Sequence, residues 1–336
     1  MPPLLERLGV ELPVVQAGMG GGLSRHELAV AVSEAGGLGT IAVNGAAAIR
    51  RELAAARALT DKPIAVNLLL PFARRDWFAA AAEADVVVTF WGKPQRRTPG
   101  AWLHQCGSVG EAVEARAAGA DGVIVQGVES GGHVRGTTPA LELLEQVRAA
   151  LPAGSQLLLA GGIAEAADVR AALEAGATAA VAGTRFLLSE ESGAHALYKE
   201  RLLEAEETLL TDLFGAGWPA PHRVVPNAAT AHWIGGVRPF PGICPDKDER
   251  RPLFRAPSAN RALNRLLAPG ARYTPSSLQL RMMRAQRPGG RILTPAGPTD
   301  DGPGTLVDAG ALYAGETVAR IGDVRPAAGI VRELAG

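Results

Sequence analysis

Aromatic residues make up only 4% of the 336-residue chain, cysteine occurs twice and lysine four times. Two cysteines, Cys106 and Cys244, cannot build a disulfide framework, so a reducing, cytoplasmic setting is expected. No window approaches 18 uninterrupted apolar residues, which excludes a membrane-spanning helix as the sequence reads. Charge also enters at Glu6 and Arg7, before any stretch long enough for a signal peptide. There is no excess of one sign: 34 Lys+Arg balance 34 Asp+Glu, which argues against whole-chain attraction to nucleic acid or to an anionic membrane. The few aromatics are not interleaved with arginines, so no nucleic-acid module is expected. Equally absent are HExxH, a P-loop and metal-spaced cysteine pairs, and no metal is expected. The string Cys106-Gly-Ser-Val-Gly110 lacks the first glycine of a nucleophile elbow.

What the chain does have is 41 glycines, 24 prolines and a hydrophobic share of 47%. Short β-type runs alternate with Ala-rich stretches of helical spacing, a pattern that predicts a parallel sheet with crossover helices. The runs cover 12–16, 38–42, 64–68, 86–90, 101–105, 122–126, 157–160 and 179–182. Helices are expected over 24–35, 46–59, 73–82, 108–118, 138–150, 165–175 and 327–334, while the polar, Pro-containing crossover 93–98 predicts none. Eight runs suit a (β/α)8 TIM barrel. A doubly wound sheet would need G-x-G-x-x-G after its first strand, and 18–24 does not fit it in either register. The expected organisation is a barrel over 1–204, an added Arg/Pro-rich C-terminal subdomain over 205–305 near the barrel mouth, and a returning segment over 306–336.

In a barrel, catalytic groups sit after the strand C-termini, and phosphate is held after strands seven and eight. Ala160-Gly-Gly-Ile163 and Ala182-Gly-Thr-Arg185 lie there, and glycines let backbone N–H groups approach an anion. A phosphate-bearing cofactor follows. The sixth run leads into 126–136, which places His133 among four glycines where an imidazole could reach a ligand. Glu129 could be an acid, a partner of Arg135 or a helix cap. Ten arginines fall within 250–291; such a run is ordinarily a solvated face, and the sharper reading is a landing site for an anionic substrate.

At these residues the sequence resembles the nitronate monooxygenase family of FMN-dependent barrels. The matching strings are Pro13-Val-Val-Gln-Ala-Gly-Met19, Glu34-Ala-Gly-Gly-Leu-Gly39, Val66-Asn-Leu68, Ala120-Asp-Gly-Val-Ile-Val-Gln-Gly127, Glu129-Ser-Gly-Gly-His133, Ala160-Gly-Gly-Ile163 and Gly183-Thr-Arg-Phe186. The resemblance implies FMN against Gln16, Ala17, Gly18 and Met19, with hydrogen bonds from Asn67 and Gln126. It assigns Gly131 and Gly132 to the cofactor loop, and Gly161, Gly162, Gly183 and Thr184 to the FMN phosphate. His133 becomes the catalytic base or nitro-group binder. The implied reaction is oxidation of an alkyl nitronate or nitroalkane by O2 to a carbonyl compound and nitrite, on a small, anionic substrate; a homodimer is compatible with it.

Three positions depart from the family pattern. Gly18 replaces the usual proline, Glu316 in Leu312-Tyr-Ala-Gly-Glu-Thr317 replaces glutamine, and Trp91 is bulkier than expected. Trp91, Tyr313 and Glu316 are the expected substrate residues, and an unpaired carboxylate there would repel a nitronate. Flavin-dependent reductases of enoyl thioesters, which use NAD(P)H, share Glu-Ser-Gly-Gly-His and are the alternative; a flavin-binding protein without turnover ranks third.

Overall fold

The computed structural model describes residues 2–235, 253–271, 273–274 and 276–336. These fall into two compact units: one of residues 1–130, 135–193 and 323–336, the other of 131–134 and 194–322.

In the first unit, strands β1 (Val14–Gln16), β2 (Gly39–Ile41), β3 (Ile64–Leu69), β4 (Val86–Phe90), β5 (Ala101–Cys106) and β6 (Gly122–Gln126) are parallel neighbours in turn. Strand β7 (Gly132–His133) belongs to the second unit, and β8 (Gln156–Ala160) and β9 (Ala179–Ala182) complete the barrel sheet, in the order β1-β9-β8-β6-β5-β4-β3-β2. Hydrogen bonds from Gln16 N to Leu38 O and from Leu38 N to Val14 O, both 3.0 Å, join β1 to the approach of β2. The result is the eight-stranded (β/α)8 barrel that the spacing predicts.

Alternation along each strand sorts the side chains. Val15, Leu38, Ala65, Val86, Val88, Leu103, Ile124, Leu158 and Val181 share the interior cluster. Val14, Val123, Val125, Leu157, Leu159 and Ala180 pack outward on the helices. A helix over Pro3–Leu8, started by proline and ended by left-handed Gly9, adds Leu4 and Leu5 to the interior cluster. The other helices of this unit are His26–Glu34, Ala46–Arg57, Arg75–Ala81, Val109–Ala117, Ala140–Ala150, Ala166–Glu174, the short Thr184–Leu187 and Ala327–Ala335. The stretch 91–100 carries no helix, as its prolines and charges require.

Gly39 shows how closely helix and strand approach. A Cβ there would overlap Ala29 O and lie 2.6 Å from its carbonyl carbon, in the helix behind β2. Gly39→Ala is therefore expected to destabilise the fold by about 2–3 kcal/mol. The measurement is a urea titration, with a lower midpoint and an unchanged slope.

The second unit contains β10 (Leu209–Thr211), β11 (His222–Val224) and β12 (Leu253–Phe254), in a four-stranded sheet ordered β12-β10-β11-β7. Its core includes Leu209, Phe214, Val224, Ile234, Phe254 and Leu293. Helices Ala196–Leu203, Ala228–Ile234, Ser258–Ala271 and Ser276–Arg284 also belong to this unit. Cys244, Arg250, Arg251 and Arg272 lie outside the described residues. Within the arginine-rich stretch, Arg261 donates to Ala256 O at 3.0 Å, Arg287 to Gln286 O at 2.8 Å, and Arg255 pairs with Asp212 at 3.5 Å. Among the described residues, no helix is long and apolar enough to cross a membrane.

Candidate active site

Toward the C-terminal ends of the barrel strands, the inward positions change from aliphatic to polar. Two residues beyond Leu38, Ala65, Leu103 and Ile124 come Thr40, Asn67, Gln105 and Gln126, so the pleat brings all four to the interior face. Gln126 is buried and its Oε1 accepts from Arg135 N at 3.2 Å. Thr40 is buried, and its hydroxyl has no hydrogen-bond partner in the structure. Gln16 is fully buried; its Oε1 accepts from Thr40 N at 2.8 Å and its Nε2 donates to Ala17 O. Its amide therefore holds the turn after β1, which Met19 N closes by donating to Ser24 Oγ at 3.0 Å.

Gly18 sits directly against Asn67. An added Cβ would overlap the Asn67 Cβ and stand 2.8 Å from its Cγ. The departure from proline is thus matched by a close approach that no larger residue tolerates. Gly18→Ala is expected to push Asn67 aside and lower flavin retention several-fold, read as the 450/280 nm absorbance ratio after gel filtration. An unchanged ratio would separate Asn67 from flavin binding.

Gly161 (φ +116°) and Gly162 (φ +77°) follow β8 in the conformations open to glycine. A Cβ on Gly161 would lie 2.8 Å from the Ser130 hydroxyl, which is buried and has no hydrogen-bond partner in the structure. Asp168 accepts from Ala164 N and Glu165 N at 2.8 and 2.9 Å, capping the next helix. Gly183 and the buried Thr184 open the short helix after β9. Arg185 is turned elsewhere: it is buried and donates to the Asp323 carbonyl and carboxylate at 3.0 and 2.9 Å.

Glu129, left open by the sequence, is a helix cap: its Oε1 accepts from Ala140 N at 2.9 Å. Arg135 instead pairs with Glu111 and lies over the Trp91 ring at 5.0 Å. Trp91 has φ +65°, the one non-glycine residue with positive φ among those described. That backbone costs a bulky residue about 1–2 kcal/mol, so the placement of the indole at the end of β4 is held against strain. Cys106 is fully buried, and burial pushes its thiol well above the ordinary range, which makes it inert.

The second unit holds His133, with Gly131 and Gly132 before it. A Cβ on Gly131 would lie 2.6 Å from the Ala314 carbonyl carbon and the Gly315 nitrogen, so only glycine passes there. β7 pairs antiparallel with β11, His133 opposite His222 and Gly132 opposite Arg223. Opposed residues share a face, which brings the two imidazoles to 5.3 Å between centroids. Trp218 stacks on His133 at 3.7 Å and 19°, and Tyr313 lies 5.5 Å away. Burial, and secondarily His222, lowers the His133 pKa well below the ordinary value. The ring is neutral across the physiological range.

Its neighbours are fixed. His222 Nδ1 donates to Ala220 O at 2.9 Å and Nε2 accepts from Phe214 N at 3.3 Å, a neutral tautomer that burial brings down to about 4. Tyr313 donates its hydroxyl to Pro295 O at 2.9 Å, and burial raises its pKa. Glu316 is paired with the buried Arg223 at 2.9 Å. Arg223 alternates with His222 along β11 and so points to the opposite face of that sheet; the carboxylate at 316 is compensated. Sequence reasoning missed Thr40, Gln105 and Ser130, which a two-residue step along the strands and the glycine loops could have found. It also missed Trp218, His222 and Arg223, for which no local signal exists.

Comparison with known proteins agrees with this architecture. The family model described as nitronate monooxygenase matches residues 2–92 and 96–234. A nitronate monooxygenase of Pseudomonas aeruginosa is 35% identical over 299 residues, covering 70% of this chain and 82% of its own. A hydroxy-methyl-oxo-octahydroindene-carboxyl-CoA dehydrogenase of Mycobacterium tuberculosis is 36% identical over 238 residues, 66% of this chain and 65% of its own. Among solved structures, the nitroalkane oxidase of Streptomyces ansochromogenes superposes with a TM-score of 0.70 at 27% identity, covering 99% of this chain and 96% of that one. The chain is accordingly an enzyme of the flavin-dependent oxidoreductase class, and it belongs to the nitronate monooxygenase family.

Proposed function

We propose that the protein oxidises an alkyl nitronate, or the parent nitroalkane, with O2, giving a carbonyl compound and nitrite. The observation that carries this reading is His133, a neutral imidazole held in an aromatic cluster within the family's Glu-Ser-Gly-Gly-His string. A carbon beside a nitro group becomes planar when its proton leaves, and a neutral imidazole nitrogen is the matching acceptor. A substrate arriving as nitronate needs only hydrogen bonding from the same ring.

The barrel residues fit FMN. Gly18 leaves room against Asn67, and the left-handed Gly161-Gly162 pair lies beside the Ser130 hydroxyl, which has no hydrogen-bond partner in the structure, a setting suited to a phosphate. Gln126 and Asn67 would hold the ring and ribityl chain, with Gly183 and Thr184 joining the phosphate site. When bound, FMN would supply the redox chemistry, taking electrons from substrate and returning them to oxygen. The protein contributes position, exclusion of water and the proton acceptor. Tyr313, beside His133 in its aromatic cluster, would border the substrate.

Identity to a carboxyl-CoA dehydrogenase, together with the arginine-rich stretch, supports the thioester reductase as second reading. Charge reversal at exposed Arg265 and Arg281 separates the two: the thioester reading expects a several-fold higher KM for an anionic CoA substrate, the nitronate reading an unchanged KM for a small nitronate.

A further inference from the structure

We infer that Trp218 is a positioning residue for His133: its indole lies flat on the imidazole and fixes the plane in which the ring presents its edge to substrate. The inference rests on His133 as the residue that handles the substrate proton. Three observations carry it. First, the 3.7 Å centroid separation and 19° tilt make this a nearly parallel stack, closer than the 5.3–5.5 Å approaches of His222 and Tyr313. Second, Trp218 is itself held: it is 6% exposed, its backbone N–H donates to Gly215 O at 3.0 Å, and its backbone carbonyl accepts from Ala220 N at 2.8 Å. Third, His133 sits on a two-residue edge strand after Gly132 at φ +73°, so the backbone does little to restrict the ring.

The remaining groups cannot do this work. His222 meets the imidazole at 59° and Tyr313 at 47°, and both have polar atoms committed to backbone partners. Among the described residues, these two are the titratable rings that meet His133. Arg223 and Glu316 are tied to each other on the other face of the sheet. A general base gains its rate from a fixed geometry, and a displacement of about 1 Å can cost on the order of a hundredfold. Tryptophan is suited to supply that geometry because its large, rigid face has little conformational freedom to lose.

The experiment compares FMN-loaded wild type, Trp218→Leu and Trp218→Phe, with 15N-labelled imidazoles observed by NMR alongside kinetics on a nitroalkane and its preformed nitronate. In wild type the His133 ring nitrogens should report a single tautomer with one environment. Trp218→Leu should average or shift these signals and lower kcat on the nitroalkane roughly 10- to 100-fold with little change in KM, while the nitronate reaction changes less than about threefold. Trp218→Phe, which keeps a flat ring, should restore most of both properties. Unchanged His133 signals in Trp218→Leu would overturn the inference regardless of activity, as would equal losses on the two substrates. If the signals change as expected but His133→Ala retains nitroalkane activity, the positioning contact stands and the role given to His133 fails.

Discussion

His133→Ala lowers kcat/KM on a neutral nitroalkane by about two to four orders of magnitude, the range for loss of a general acid–base group. Oxidation of the preformed nitronate falls by less than about tenfold, because there the imidazole contributes a hydrogen bond rather than a proton transfer. The split arises from the site. His133 is kept neutral by burial and by His222, so the acceptor form is present throughout the neutral range. Flavin content should not change, since the substitution leaves the residues assigned to FMN binding, Gly18, Asn67, Gly161 and Gly183 with the Gly131-Gly132 pair, in place. Equal losses on both substrates would assign the residue to binding alone.

The second large effect is acid sensitivity. Burial lowers both His104 and His222 from 6.5 to about 4. His104 lies behind the barrel sheet, its Nδ1 2.7 Å from Thr89 Oγ1, which also accepts from Trp102 Nε1 at 2.8 Å. The unfolded chain binds these protons near pH 6.5 and the folded one does not until about 4, so stability is complete above 6.5 and is lost as pH falls through that window. Each of these two rings contributes about 3 kcal/mol over the full interval, and because burial lowers His133 as well, the combined slope of the three approaches about 4 kcal/mol per pH unit. Glu52 and Asp121 have lowered pKa values, so their stabilisation is lost as pH falls from the ordinary carboxylate range through their lower folded values. Urea titrations between pH 7 and 4.5 therefore isolate the histidines. A flat stability over that interval would mean that the two rings are not buried as neutral groups.

The barrel was legible because its signals are local. Each of the eight apolar runs became a strand within two residues of its expected limits, and the six helices expected between them appeared with frayed ends. Composition also forecast the helix-free crossover after β4. The helix Pro3–Leu8 escaped notice because six residues are too few to establish a period. The second sheet was invisible for a stronger reason: its strands are two or three residues long and come from 132–133, 209–211, 222–224 and 253–254. Such pairing is set by tertiary contacts.

The same division applies to the site. His133 and the glycine loops could be singled out from barrel position, whereas Trp218 and His222 are 85 and 89 positions away in sequence and meet the imidazole only through β7–β11 pairing and the turn before it. Two departures from the family pattern became intelligible once neighbours were known. Gly18 faces Asn67, and Glu316 faces Arg223. Trp91 keeps its strained backbone beside Arg135, a local arrangement that residue identity alone does not reveal.

The most direct test of the account is anaerobic. FMN-loaded protein is mixed in separate cuvettes with an alkyl nitronate, NADH and NADPH, and flavin absorbance is followed at 450 nm. The account predicts rapid bleaching by the nitronate, recovery of the yellow colour with nitrite release once air is admitted, and no comparable bleaching by either pyridine nucleotide. Rapid bleaching by NADH or NADPH, with none by the nitronate, would contradict it and move the protein to the reductase reading.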